Sequence, residues 1–388
     1  MKYRRAAILI VLLLFTHLLK GQESLNDKER VFNIKGQFSS WGHFNPDNPY
    51  PLYVGGRYIP QANYEIRLPE NKLFDFEISA NIYGQAGIHF FDSVSTTGNL
   101  NAYRGWGRFS SEQLEIRIGL QKIDFGTAMM MRALRWFDQV DPRDPLRLTE
   151  GVWAGLTRYY FLNNSNIWFW VLYGNKNPKG MEVIKTNSSF PEIGGRFQFP
   201  VPAGETGISY HHRVADSREL DELISGYEKI DENRIGLDAK WDLLVGLWLE
   251  AAWITKNKDL GMFTNQEILT LGSDYTLGIG SGLKVTLEHM LYSFDKKAFN
   301  FENTVNFTGL FVNYPIGMFD NISAIFYYDW KNNSAYNFIN WFRQFDKTTL
   351  YVMGYWNPEN AAIPTMGKGS AENLFGGIGI QIMYVFNH

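Results

Sequence analysis

The feature that most constrains this chain is a hydrophobic period of two, sustained over most of residues 31–386. In residues 57–68 the even positions are Tyr58, Pro60, Ala62, Tyr64, Ile66 and Leu68, and the odd positions, apart from Ile59, are polar. Residues 73–91 repeat the pattern with Phe74, Phe76, Ile78, Ala80, Ile82, Ala86 and Ile88 opposed to Asp75, Glu77, Ser79, Asn81, Gln85 and His89. It returns at Leu114–Leu120, at Ile235–Trp241, and at Ile378, Ile380, Ile382, Tyr384 and Phe386. A period of two puts alternate side chains on opposite faces of a strand, so each segment has one apolar and one polar face.

The connections decide between a soluble sandwich and a membrane barrel. Starting at Val31, the chain reads as eighteen strands; sixteen is the alternative, because 153–162, 167–173 and parts of 305–314 are apolar on both faces. The even-numbered connections are short: 69–72, 110–113, 163–166, 200–205, 242–246, 278–281, 315–320 and 346–347. The odd-numbered ones are mostly long: 42–56, 92–99, 122–151, 175–190, 214–231, 256–266, 294–302, 331–335 and 357–373. Transmembrane barrels sort their loops by parity in this way, with tight periplasmic turns and long extracellular loops. A bilayer offers backbone amides no water, so only helices or closed barrels cross it, and closure also removes exposed sheet edges. The expected fold is all-β: a transmembrane antiparallel up-and-down barrel with its third extracellular loop folded into the lumen.

Composition agrees. Mean hydropathy is −0.25, too polar for a bundle of apolar helices, and 12 Trp, 21 Tyr and 29 Phe are abundant material for interfacial girdles. Trp41, Trp106, Trp153, Trp168, Trp241, Trp330 and Trp356 fall near strand ends, where an indole N–H finds partners at the interface. The absence of cysteine excludes disulfides, cysteine-ligated zinc and iron–sulfur clusters. Lys2, Arg4 and Arg5 precede an apolar stretch, Ala6–Phe15, too short to span a bilayer. Residues 1–21 therefore read as a signal peptide cut at Gly21/Gln22, 22–30 as a periplasmic lead, and 31–388 as the barrel. Without Lys2, Arg4, Arg5 and Lys20 the 37 basic residues become 33 against 40 acidic ones, a formal charge of −7 that gives no reason to expect nucleic acid. The expected location is the Gram-negative outer membrane, with its lipid as one partner.

The longest connection, 122–151, is the most unusual. Met129, Met130, Met131, Leu134, Trp136 and Phe137 make it too apolar to stand in water. It also holds Arg132, Arg135, Arg143 and Arg147 with Asp138, Asp141, Asp144 and Glu150. Folded inward, it would pack its apolar residues and let its charges line a constriction; the alternative is a packed lid over the barrel.

One run within this region matches a known pattern: Arg117-Ile-Gly-Leu-Gln121, then Phe125-Gly126, then Asp138 and Asp141-Pro142-Arg143-Asp144. It resembles the strand-and-loop segment of alginate-export-type and related porin-like outer-membrane barrels, over residues 114–151. The resemblance implies an eighteen-stranded monomeric channel whose inner loop shapes the pore, with Arg117, Gln121, Asp141, Arg143 and Asp144 as candidate pore residues. This chain departs from the pattern in having Phe125 where Trp is commoner and in ending Phe386-Asn387-His388.

The polar strand faces supply candidate pore-lining residues: Glu65, Asp75, Glu77, Arg104, Arg108, Glu115, Glu192 and Arg196, with Arg213, Arg234 and Asp238 nearby. Mixed charge across a water-filled lumen favours small hydrophilic solutes, though the same ions could equally solvate a filled lumen. An enzyme is not expected. Among His43, His89, His211, His212, His289 and His388, the adjacent pair His211 and His212 points to opposite faces. No nucleophile-elbow, zincin or phosphate-loop motif occurs, and no cofactor is called for. The expected function is a porin-like channel for passive diffusion. The alternative is a non-conducting barrel serving a surface or secretion complex, its extracellular loops, such as 45–51 and 357–364, engaging a surface-protein partner.

Overall fold

The computed structural model describes residues 30–359, apart from 221–223 and 225, and residues 375–388. The signal peptide and nearly all of the periplasmic lead lie outside the described residues. Eighteen antiparallel strands form the wall. They are β1 Arg30–Phe44, β2 Leu52–Leu68, β3 Lys72–His89, β4 Ser93–Ser110, β5 Leu114–Gln121 and β6 Val152–Tyr160. There follow β7 Asn166–Leu172, β8 Glu192–Val201, β9 Gly204–Asp216, β10 Ile230–Asp242, β11 Gly246–Lys256 and β12 Asn265–Leu277. The last six are β13 Leu283–Asp295, β14 Thr304–Pro315, β15 Asp320–Asp329, β16 Ser334–Gln344, β17 Thr348–Asn357 and β18 Gly377–Asn387. Each strand pairs with its neighbours in sequence, and β1 closes on β18 from Gln37 opposite Asn387 to Phe44 opposite Ile380. A two-residue bridge, Lys185–Thr186, adds to the end of β9. Eighteen strands, not sixteen, close the ring.

The alternation sorts the faces as the sequence implies. Ile34, Ile78, Leu100, Ile118, Phe169, Ile208, Leu271 and Ile382 are exposed on the outside, in a belt of apolar surface. Their sequence neighbours lie on the opposite face, where Ser79, Trp170, Gly207, Ser209, Thr270 and Met383 are buried. Among the described residues no helix is long and apolar enough to cross a membrane.

Three expectations need correction. The connection read at 92–99 is strand: β3 and β4 turn between Phe90 and Asp92, and Val94 and Leu100 continue the outward face. Polar residues on both sides of this hairpin masked its alternation. His43, read as a loop residue, lies in β1 and hydrogen-bonds the Tyr355 hydroxyl at 2.7 Å. The tryptophans also divide. Trp153, Trp330 and Trp356 are exposed outside, whereas the pairing register turns Trp41, Trp106 and Trp168 inward. Each inward indole lies under a guanidinium: Arg57 on Trp41, Arg108 and Arg117 on Trp106, and Arg158 on Trp168 at 3.9 Å. Such cation–π stacking lets an aromatic ring face a polar interior.

Candidate functional site: an inner loop and a luminal cavity

The 122–151 segment is held by two carboxylates from the opposite wall. Glu288 on β13 accepts the backbone N–H groups of Met129 (2.6 Å), Met130 (2.9 Å) and Met131 (2.7 Å), and the Trp248 indole N–H at 3.1 Å. Glu250 on β11 accepts the N–H of Ala128 at 2.7 Å and of Leu134 at 3.2 Å. The Thr270 hydroxyl donates to the Met131 carbonyl at 2.6 Å. Consecutive backbone amides converging on an anion form a nest, and a buried carboxylate is satisfied by it. Gly126 makes the approach feasible: its φ is +103°, and a Cβ there would collide with the Glu250 carboxylate. Glu250, Thr270 and Glu288 belong to the buried, inward set, and the wall is one strand thick, so this segment lies against the inside of the barrel.

Its apolar residues then find the core they need. Phe125, Met130, Met131, Leu134, Trp136 and Phe137 are buried with Leu156 and Trp170, with Ile268 and Met290, and with Phe307 and Tyr327. Arg132 pairs with Asp138 at 2.6 Å and donates to the Phe125 carbonyl at 3.0 Å. Arg135 is buried beside them, and burial pulls its guanidinium down to about 10.

Beyond this core the chain turns through Asp141-Pro142-Arg143-Asp144-Pro145, a sequence suited to side-chain-to-backbone turns. Asp141 accepts the Arg143 backbone N–H at 2.9 Å and holds its guanidinium through both oxygens. Burial alone would raise the Asp141 carboxyl, but Arg143 holds it below the usual range. Asp144 accepts the N–H groups of Leu146 (3.0 Å) and Leu148 (3.1 Å), yet burial pushes its carboxyl up. Arg143 lies over Phe338 and Phe375 at 5.1 and 4.9 Å. Arg147, exposed with φ +47°, continues the segment.

This stretch forms one wall of a cavity of about 580 Å³ inside the barrel. The facing wall comes from β1–β3, with Ser39, Trp41, Arg57, Tyr83 and Gln85, and from β14–β18, with Asn313, Asn340, Tyr351 and Gln381 among others. Of the constriction residues expected from the sequence, Asp141, Arg143, Asp144 and Arg147 line this cavity. Arg132, Arg135 and Asp138 are packed in the loop's own core. Arg117 belongs to an ion cluster with Glu115 (3.1 Å) towards the short-turn end, and Gln121 is buried, donating to the Ala154 carbonyl at 2.9 Å.

The expected lining residues all face inward but occupy different surroundings. Asp75 and Arg108 form a two-pronged pair at 2.7–2.8 Å, and Arg108 and Arg158 both reach Glu115. Arg104 donates to the Thr149 carbonyl at 3.0 Å, Glu77 accepts from Ser79, and Glu65 is near Arg67. Glu192 and Arg196 are buried within protein, Arg196 on Asp238 and Glu192 between Lys179 (3.1 Å) and His211 (3.2 Å). They join a buried network in which the 173–191 connection reaches the wall: Glu182 meets Arg213 (3.3 Å), Arg234 (2.7 Å) and Lys179 (3.4 Å), and Glu232 meets Arg213, Arg234 and Lys256. Burial would raise Glu182, but these three cations hold it low. Two inner connections thus fill the β7–β13 side, while the cavity lies towards β14–β18 and β1–β3.

The anchors Glu250 and Glu288, and Arg57 and Tyr83 beside the cavity, were not singled out by sequence reasoning, and Trp41 was expected at the membrane interface. The available signal was an acid at an inward position of an otherwise apolar strand, as in Leu249-Glu250-Ala251 and Leu287-Glu288.

With this geometry in hand, the chain can be set beside known proteins. No protein-family model and no curated protein matches it. Among solved structures it is similar to OccAB4 of Acinetobacter baumannii, at 8% identity over 93% of this chain and 98% of that one, with a TM-score of 0.55. It is similar to Salmonella typhi OmpF in a complex with daunomycin, at 7% identity over 94% and 100% of the two chains, with a TM-score of 0.51. An anion-selective porin from Comamonas acidovorans aligns at 13% identity over 93% of this chain and 100% of that one, with a TM-score of 0.48. The first two establish a shared fold, the closed antiparallel barrel.

Proposed function

We propose that this chain is an outer-membrane channel for the passive diffusion of small hydrophilic solutes, with the 141–147 stretch shaping its narrowest part. The observation that carries the reading is the cavity of about 580 Å³ between that stretch and the β14–β18 and β1–β3 walls. A barrel filled only for stability would pack such a space. Instead it carries serine, asparagine, glutamine and arginine side chains among aromatic and aliphatic ones, a lining that water can wet. The apolar outer belt supports a bilayer location, and a signal peptide at residues 1–21 would deliver the chain there. Asp141, Arg143, Asp144 and Arg147 act as the constriction, and Arg132, Arg135 and Asp138 act beneath them as its support. The test is electrical. Purified protein in a planar bilayer gives stable conductance steps, larger when 129–147 is deleted. Absence of conductance from both forms overturns the channel reading and favours the scaffold alternative.

A further inference from the structure

The wall facing the 141–147 stretch carries a group that a merely water-filled path does not require. Trp41 on β1 and Tyr83 on β3 stack across β2 with ring centroids 5.7 Å apart and planes 17° from parallel. Arg57 on β2 lies over both rings, 5.8 Å from Trp41 and 5.2 Å from Tyr83. The arrangement is built into the backbone. Gly55 stands beside Trp41 in the strand pairing, and a Cβ there would collide with the indole ring, so only glycine lets the ring lie flat over β2. The Arg57 Nε has no hydrogen-bond partner, and neither do the Arg143 Nη1 and Asn340 Oδ1 on the same cavity.

The charges around the cavity are unequal. Its lining holds Arg57, Arg143 and Arg147 against Asp141 and Asp144. Asp141 is committed to Arg143, and both Asp144 oxygens accept backbone amides. Among the described residues no carboxylate reaches Arg57 or Arg147 within ion-pair distance. The cavity therefore offers two guanidiniums that no carboxylate pairs with, beside flat aromatic surface. A planar fork matches a carboxylate, and an aromatic stack matches a flat unsaturated body.

We infer that Arg57 on the Trp41–Tyr83 stack is a solute-selecting site, taking small organic anions with a flat body, the class of aromatic carboxylates. The inference deepens the channel reading and rests on it for the route by which the solute arrives. A hydrogen-bonded charge pair contributes enough to shift affinity about tenfold, and stacking distinguishes benzoate from acetate, which carries the same charge.

The experiment uses the full chain with benzoate, acetate and benzamide as probes. Binding is read by saturation-transfer NMR on detergent-solubilised protein, and block of chloride current by the same solutes is read in planar bilayers. The expected result is that benzoate binds and blocks at lower concentration than acetate or benzamide. Arg57→Gln should weaken benzoate about tenfold. Gly55→Ala, which displaces the indole, should weaken benzoate and leave acetate unchanged. The comparison of the three solutes on the unaltered protein stands even if a variant fails to fold. Conducting barrels in which benzoate binds no tighter than acetate and benzamide overturn the site and keep the channel. Benzoate bound with this preference in a barrel that does not conduct keeps the site and overturns the channel.

Discussion

Replacing Glu288 by alanine tests whether the inner loop is held by its carboxylate nest. The substitution removes the acceptor of three consecutive amides, at 2.6, 2.9 and 2.7 Å, and of the Trp248 indole N–H. Hydrogen bonds to a charged group contribute roughly 1.5–3 kcal/mol each, and a buried donor left without a partner costs roughly 1–3 kcal/mol. Taking the lower figure for the three amides gives about 4–5 kcal/mol. The strand pairing of β13 is untouched, so the loss falls on the loop and not on the wall. The assay is hydrogen exchange followed at Met129, Met130 and Met131. At about 1.4 kcal/mol per decade, loop opening should rise about a thousandfold and exchange with it. Glu288→Gln keeps one acceptor oxygen without the charge and should fall between. Exchange at these three amides unchanged in Glu288→Ala would refute the anchoring argument, whatever the effect elsewhere.

Other predictions follow from the same interior. Asp144 titrates above its unfolded value because it is buried, so its ionised form destabilises the folded loop at pH above the raised value, and that cost disappears as pH falls through it. Acidification therefore removes a negative charge from the cavity wall and should raise the chloride-to-potassium permeability ratio read from reversal potentials. Asp144→Asn should show the raised ratio at every pH, and a variant retaining the wild-type pH response would sink the assignment. Glu182→Ala removes the buried carboxylate shared by Lys179, Arg213 and Arg234, which keep Glu192 and Glu232, so the loss stays below the roughly 3–5 kcal/mol of a fully stranded buried charge. Proteolysis within 173–191 should accelerate while the β-sheet circular dichroism persists. Since Glu182 is held low by these cations, its stabilisation is present above the ordinary carboxylate pKa and is lost as pH falls through the lowered one.

The wall was legible in the sequence because its solvent is uniform. Every outward position meets the same apolar surroundings, so Ile78, Ile118 and Ile382 announce their face without help from distant residues. Loop parity carried the strand count past the segments at 153–162 and 167–173 that are apolar on both faces. Aromatic residues were harder, since an indole suits either a lipid interface or a guanidinium; Trp106 and Trp153 look alike until register assigns them to opposite sides. The inner loop was recognised as apolar and charged, and Asp141, Arg143, Asp144 and Arg147 do meet in one cavity. Its anchors stayed hidden because the information lies in pairs: Glu250 is unremarkable until Ala128 and Leu134 are placed beside it. The same holds for Arg57, whose importance depends on a glycine two residues away and rings from both flanking strands.

The span of those anchors has a consequence for assembly. Met131 and its acceptor Glu288 are 157 residues apart, and Leu134 and Glu250 are 116 apart. The loop emerges between β5 and β6, but its sockets exist only once β11–β13 have been laid down. Loop closure over such distances comes late, after local hairpins have formed. A growing wall would therefore carry six apolar loop residues without a home until its second half arrives. The seating of three amides on one carboxylate therefore needs both halves of the wall in place.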